Sequence, residues 1–484
     1  MIVLVLIALV PAIGLFALRN WADGRAQQDE ALTIAPPPTN VVDPPLPDPP
    51  LATGLFSYRR LPTVLSRDIN LDRFITDTAP FLATLNDRSC FSISVDGNPV
   101  GSYNDSIPVL PASSQKIIVG EVALEVIGPD SRFTTRVVTD PIDESGAVQG
   151  DLVIVGGGDP LLSSDWYPTS GLERRPVLSP TSLDMLADRV RDAGVTRVAG
   201  SVIGDGSRYD DEFFAPGWGN GVAGLEAGPY DALIANDGRV LDEDLRVAEP
   251  NAGAAREFTR LLRDRGIVVD AEASSSSGAG EGLAEIASID SAPLTDVVAE
   301  LLTNSDNNTA ELLLKEIGLV SSGAGTREAG AAAIMSTLES WGVPTEGVVF
   351  GDGSGLSLAN RLTCATLAAV LQRSSPTDAM GAGLAVAGRT GSLSDVFGDH
   401  PVAGRLLGKT GTLNNPPFNQ DPPAVKALAG YLPVDGGGAV EYVLILNGPT
   451  ISDQSEYRPI WSDLVDLLDT YPAGATPADL GLIR

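Results

Sequence analysis

The sequence predicts a mixed α/β (α+β) protein whose core is split in the chain by an inserted, strand-rich segment. Three observations carry this. Near the front, CFSISVDGNPVGSYN alternates apolar and polar residues around a DGN turn, as a hairpin does, and Ser113 to Ile127 is a helix-like apolar run stopped by Gly128. From about 141 to 249 the texture changes to short strands with Gly and Asp turns, as in DLVIVGGGDP and TRVAGSVIGDGSRYD, plus one helix, LDMLADRVRDAG. Late in the chain, GRLLGKTGTL, VKALAGYLPVDGGG and AVEYVLILNG read as three consecutive antiparallel strands, the last two joined by a Gly-rich turn.

Between these, helical periodicity returns at AREFTRLLRDRG, with Phe258, Leu261 and Leu262 on one face, and on both sides of Ser305 in TDVVAELLTNSDNNTAELLLKEIG. SSSSGAG at 274–280 reads as a flexible loop, and no internal repeat is evident. The divisions that follow are a leader at 1–18, a Pro-rich linker at 19–54, a first core segment at 55–140, the insert at 141–249, a second core segment at 250–470 and a tail at 471–484. The insert's own apolar pattern predicts that it packs separately and can be replaced by a short linker.

Composition bounds the class. A chain of 484 residues with 43% hydrophobic and 20% charged residues buries a large core, and a net charge of −31 with no basic stripe argues against nucleic acid as a partner. The leader MIVLVLIALVPAIGLFAL is uncharged over eighteen positions, long enough for a signal peptide or a membrane anchor. The missing basic leading region and cleavage site favour an uncleaved anchor, and either way export is expected. PPPTNVVDPPLPDPP then reads as a stiff polyproline II spacer. Only Cys90 and Cys364 occur, which excludes a zinc cluster and leaves two readings, a strand-to-helix disulfide or two buried thiols.

The chemistry starts from scarcity. Lysine occurs only at 116, 315, 409 and 426, the remaining positive charge being arginine. The single histidine, His400 beside Asp399 in a polar loop, reads as a solvated surface residue and makes a poor base for a triad. Lysine can activate a serine because burial lowers its pKa, whereas arginine cannot give up its proton. Ser113-Ser114-Gln115-Lys116 is the only Ser-x-x-Lys, since Leu312, Leu406 and Pro423 stand three residues before the other lysines. Ser305-Asp306-Asn307 and Lys409-Thr410-Gly411-Thr412 follow in that order.

Three other matches are decoys. Ser102-Tyr103-Asn104 falls in the hairpin, and Gly388-Arg389-Thr390-Gly391 carries arginine where the later strand has lysine. The run from Gly404 to Thr410 is one residue short of a phosphate-binding loop and leads into strands instead of a helix. Gly156 to Asp159 reads as a tight turn of the insert.

SxxK, SDN and KTG in this order resemble the penicillin-binding proteins and serine β-lactamases. The surrounding words PASSQK, VGGGDP, NSDNNTAELLLKEIG, GDGSGLS, NRLT and GKTGTL are similar to one branch, the D-alanyl-D-alanine carboxypeptidase/endopeptidase family of low-molecular-mass class C penicillin-binding proteins, over roughly residues 56 to 450. That family carries an inserted domain between SxxK and SDN, here 305 − 113 = 192 residues apart. The resemblance implies a transpeptidase-like core, an antiparallel sheet flanked by helices, with a strand-rich insert.

It implies an exported serine hydrolase, needing neither cofactor nor metal, that cleaves D-Ala-D-Ala bonds of peptidoglycan stem peptides and is inhibited by β-lactams. D,D-endopeptidase action stays open. Ser113 would be the nucleophile, Lys116 the base, Ser305 a proton relay and Asn307 a substrate and Lys116 partner. Lys409, Thr410 and Thr412 would bind the terminal carboxylate, with Gly411 letting substrate lie close. Two alternatives stay in play. A β-lactamase lacks support because no Glu-x-x-x-Asn element lies between Ser305 and Lys409, and an idle wall-binding protein would not need the intact set.

Overall fold

Alternation along the late strands decides the architecture. In a computed structural model, which describes residues 61–472 except 173–174, 220, 244, 415–423 and 435–437, Leu407–Leu413, Ala424–Pro433 and Ala439–Gly448 form consecutive antiparallel strands. Val425, Ala427, Ala429 and Tyr431 face one hydrophobic layer, while Leu428 and Leu432 face another. A strand with both faces buried must be apolar nearly throughout, and AVEYVLILNG is buried at every position.

The hairpin Cys90–Val95/Asn98–Tyr103 joins this sheet through Cys90–Val95, which pairs with Ala439–Gly448, and Ala385–Val386 closes the other edge, making six strands. Asp96 and Gly97 both have positive φ, 50° and 74°, as a tight two-residue hairpin turn requires. One face of the sheet is covered by Lys116–Val126, Leu294–Thr303, Asn307–Ser322 and Cys364–Leu371; the other meets Leu61–Leu82 and Gln454–Asp469 through Phe74, Phe81, Trp461 and Leu464. Cys90 on the sheet and Cys364 at a helix start form a disulfide, the first of the two readings the sequence left open.

The inserted segment builds a second sheet, but with wider limits than 141–249. Its five strands run in the order Ser274–Ser275, Val202–Asp205, Leu152–Val155, Thr134–Thr139 and Ala284–Asp290. The flanking strands Thr134–Thr139 and Ala284–Asp290 are paired with each other, and helix Pro250–Asp264 buries Phe258, Leu261 and Leu262 in this sheet's cluster. The packed unit therefore spans residues 134–290, and excising 141–249 would strip Thr134–Thr139, Val268–Val269 and Ser274–Ser275 of a partner strand and helix Pro250–Asp264 of much of its packing. Residues from Ser66 onward form one compact unit that includes it.

The SSSSGAG run is not the loop expected. Ser274 and Ser275 pair in parallel with Ile203 and Gly204, and the N–H groups of Gly278 and Gly280 bind the Asp205 carboxylate. Asp205 converts what composition marks as floppy into an edge strand and an anchored turn. His400 is likewise not merely solvated, since Nε2 meets Asp466 at 2.8 Å and Nδ1 accepts from the Val402 N–H. The expected leader, the Pro-rich linker and residues 473–484 lie outside the described residues. No helix of the described residues is long and apolar enough to cross a membrane.

Candidate active site

Ser113 sits in a single 3₁₀ turn, Ala112–Gln115, that runs into helix Lys116–Val126. The turn is clamped on three sides. Asn447 on the central strand holds both backbone groups of Leu110, accepting from its N–H and donating to its carbonyl at 3.0 Å each. Gly411 lets its strand lie tightly on the turn, since a Cβ there would stand 3.0 Å from the Pro111 carbonyl oxygen and 3.2 Å from the Ala112 Cβ. Gly355, at φ 87°, lets its loop lie on the Ala112 carbonyl, 2.0 Å from where its Cβ would be. Ala112 takes φ 48°, a left-handed conformation costing an L-residue about 1–2 kcal/mol, and this tight environment holds it there.

The turn and the helix that follows put Lys116 directly behind the serine. Its Nζ lies 2.9 Å from Ser113 Oγ, 2.7 Å from Asn307 Oδ1 and 2.7 Å from the Ser354 carbonyl. The side chain is fully buried, and this desolvation brings the ammonium down to about 8 against the opposing pull of Asp306, Asp352 and Glu311.

Ser305 is placed by a break between two helices. Leu294–Thr303 ends at Asn304, Ser305 turns left-handed at φ 66°, and Asp306 caps Asn307–Ser322 by accepting the Thr309 N–H. Lys409 Nζ reaches from its strand to Ser305 Oγ at 2.7 Å and to the Thr410 carbonyl at 2.8 Å. Burial, then the nearby cations Lys116 and Arg175, push its pKa well below the ordinary lysine value.

Ser113, Ser305, Asn307, Thr410 and Thr412 line one cavity of about 560 Å³, and Lys116 and Lys409 reach it from behind through their bonds to the two serines. Gly411 lies on the same strand, its Cα side against the nucleophile turn. All eight positions singled out in the sequence therefore meet at one groove. Two of the decoys stay apart from this set: Asn104 ties back to the Asp87 and Ser89 carbonyls just before the hairpin, and Gly391, at φ 54°, is wedged on the Thr303 carbonyl, though Ser392 and Asp395 just beyond it do line the cavity. Gly156 to Asp159 make a turn packed on Ala232 and Thr134, with Pro160 and Leu161 entering the cavity wall.

Sequence reasoning missed how much of the wall comes from the inserted segment. Tyr167, Arg175, Val177, Leu225, Glu226, Asp237 and Arg246 all line the cavity. The Glu226 carbonyl accepts from Asn307 Nδ2 at 2.8 Å, which turns Oδ1 toward Lys116. The Leu178 N–H is bound by Glu300, a carboxyl raised to about 7 by burial. Lys426, given no role from sequence, donates to Thr412 Oγ1 at 3.1 Å and lies over the Tyr457 ring. These contacts are backbone carbonyls and long-range neighbours, for which a single sequence holds no signal. Among the described residues no group of His, Cys, Asp and Glu is arranged to hold a metal ion.

A model of the D-Ala-D-Ala carboxypeptidase 3 (S13) family matches residues 70–243 and 231–471. The chain is similar to a carboxypeptidase of Mycobacterium tuberculosis, 30% identical over 73% of this chain and 74% of the relative. A carboxypeptidase of Mycolicibacterium smegmatis, DacB, is 29% identical over 92% of this chain and 91% of its own length. In fold it is similar to penicillin-binding protein 4 of Haemophilus influenzae, with a TM-score of 0.66, 19% identity and coverage of 80% of this chain and 98% of that one; that protein has also been solved with a β-lactam.

Proposed function

The chain belongs to the D-Ala-D-Ala carboxypeptidase 3 (S13) family, and we propose on that basis that it is an exported serine D,D-carboxypeptidase of peptidoglycan stem peptides, working through an acyl-enzyme on Ser113. The observation that carries this reading is the fully buried Lys116 amine, 2.9 Å from Ser113 Oγ and with its pKa lowered toward neutrality. Ser113 Oγ attacks the carbonyl carbon of the penultimate D-Ala while its proton passes to neutral Lys116. The oxyanion is received by the N–H groups of Ser113 and Thr412, a contribution of about 3 kcal/mol per donor in comparable enzymes.

Collapse breaks the peptide bond. The leaving amine takes a proton relayed through Ser305, and D-Ala departs. Water then attacks the acyl ester, Lys116 taking its proton, and releases a stem peptide one residue shorter with Ser113 restored. Lys409, Thr410 and Thr412 hold the terminal carboxylate, and Asn307 steadies a substrate amide. Residues 1–18 would deliver the chain to the envelope, a compartment with which the Cys90–Cys364 disulfide agrees.

The test is labelling with a fluorescent penicillin, mass spectrometry of the adduct, and D-Ala release from a D-Ala-D-Ala peptide. A stable adduct on Ser113, lost in Ser113→Ala along with D-Ala release, is the expected result. Rapid penicillin turnover would point to a β-lactamase, and absence of any adduct to an idle protein of the same fold.

A further inference from the structure

Beneath the nucleophile lies a pair of buried acids that the reaction just described does not use. Glu311, one turn into the helix that Asp306 caps, is almost wholly buried, and its carboxylate accepts from the N–H groups of Gly353, at 3.0 Å, and Ser354, at 2.7 Å. Asp352, fully buried, takes the next N–H groups, of Gly355 at 2.9 Å and Ser357 at 2.5 Å, and is itself held by Trp218 Nε1 at 2.8 Å and Asn360 Nδ2 at 2.7 Å. Every backbone donor from 353 to 355 thus points into one of these two carboxylates. A trans peptide sets its C=O opposite the N–H of the following residue, so Asp352, by binding the Gly355 N–H, directs the Ser354 carbonyl, which meets Lys116 Nζ at 2.7 Å, while Glu311 fixes the two peptide units just before it.

That carbonyl matters for the direction of a lone pair. A charged lysine donates three N–H bonds, one to each of its neighbours Ser113 Oγ, Asn307 Oδ1 and the Ser354 carbonyl. Once neutral it keeps two N–H bonds and one lone pair. Two of the three neighbours are acceptors without a proton: the Ser354 carbonyl, and Asn307 Oδ1, whose partner nitrogen donates to the Glu226 carbonyl. They take the two N–H bonds, so the lone pair faces the one neighbour that carries a proton, the Ser113 hydroxyl. Without a fixed Ser354 carbonyl the amine would be free to rotate its lone pair away.

We propose that Glu311 is a positioning residue for acylation of Ser113: by anchoring the two peptide units that lead into the one Asp352 binds, it keeps the Ser354 carbonyl in place on Lys116 and so aims the amine at the serine. The proposal rests on Lys116 being the base. The charged and titratable groups that interact with Glu311 are Lys116 on the nucleophile helix, Asp352 on the loop and Tyr230 from the inserted segment, and Asp306 at the start of its own helix acts on the same Lys116. Burial, then Asp352, raises its pKa, while its negative charge helps hold the proton on Lys116.

The experiment measures the rate of acylation by fluorescent penicillin across pH, and kcat and KM for a D-Ala-D-Ala peptide, in Glu311→Ala, Glu311→Gln and Lys116→Arg, each checked for folding by thermal melting. Glu311→Ala should lower the acylation rate and kcat about ten- to hundredfold with KM changed less than about threefold, the scale of a misaimed reacting group. Glu311→Gln keeps an acceptor and should recover most of the rate at high pH. Because it removes one negative charge near Lys116, the amine should lose its proton more readily and the rising limb should move to lower pH.

A folded Glu311→Ala that acylates within about twofold of the parent, while Lys116→Arg is inactive, overturns this proposal alone. If Lys116→Arg acylates like the parent, the base assignment itself is wrong and the proposal falls with it. Should Glu311→Ala not fold, Glu311→Asp, which keeps the charge but draws the carboxylate back from Gly353 and Ser354, decides: acylation slowed about tenfold or more above the rising limb supports the role, and a rate within about twofold of the parent refutes it.

Discussion

Lys116 and Lys409 are both fully buried, and each donates to a serine hydroxyl in the same groove, yet their surroundings are opposite in charge. Around Lys116 stand Asp306, Asp352 and Glu311, which resist the effect of burial and leave the amine near 8. Around Lys409 stand Lys116 and Arg175, which add to the effect of burial. One site is balanced so that an amine can give and take a proton near neutrality. The other sets a buried amine beside two cations, with no carboxylate among the groups that shift it, so its ammonium is disfavoured until an anion brought by the substrate completes the environment. Two residues of the same type, 2.7–2.9 Å from their serines, are fitted for different work by what surrounds them.

Substitutions can break that contrast. The largest effect is expected for Lys116→Arg, which keeps the charge but cannot accept a proton; the penicillin acylation rate should fall about 10²–10⁴-fold. Lys409→Arg keeps a cation and should retain measurable acylation, with kcat/KM on a free-carboxylate peptide reduced about 10- to 100-fold, the value of a charge-assisted hydrogen bond. On the same peptide with an amidated C-terminus, Lys409→Arg and the parent should converge. Equal losses in both lysine variants would erase the distinction.

Smaller effects sharpen it by leaving the lysines in place. Removing the Cys90–Cys364 link with Cys364→Ala should lower stability by about 2–4 kcal/mol in a denaturant melt, with acylation by the folded protein unchanged. Trp218→Phe deletes one hydrogen bond to Asp352 from the inserted segment and should slow acylation only severalfold, about 1 kcal/mol. A variant as inactive as Lys116→Arg would mean that Trp218 does far more than support the acidic bed.

Much of this was legible in the chain. The hairpin at Cys90, the helix behind Ser113, the helices either side of Ser305 and the three late strands follow from alternation, 3.6-residue periodicity and glycine punctuation, all local signals. The site was legible because its residues are chemically scarce: few lysines leave few pairings with serine. The limits of the inserted unit were not, because Thr134–Thr139 and Ala284–Asp290 pair across about 150 residues of sequence and look like ordinary strands of either sheet. Nor was the SSSSGAG turn, whose order comes from Asp205, some seventy residues away. The Glu226 and Ser354 carbonyls that orient Asn307 and Lys116 belong to the backbone, which every residue has, so no side-chain pattern announces them.

The central claim, that a buried neutral lysine activates Ser113, is tested most directly by the pH dependence of penicillin acylation of the parent protein. Lys116 reacts in its neutral form, so the rate should climb as pH rises and pass its midpoint at about 8, and this limb should vanish in Lys116→Arg. A rate that stays level from about pH 6 to pH 9, or a limb that survives in Lys116→Arg, would contradict it.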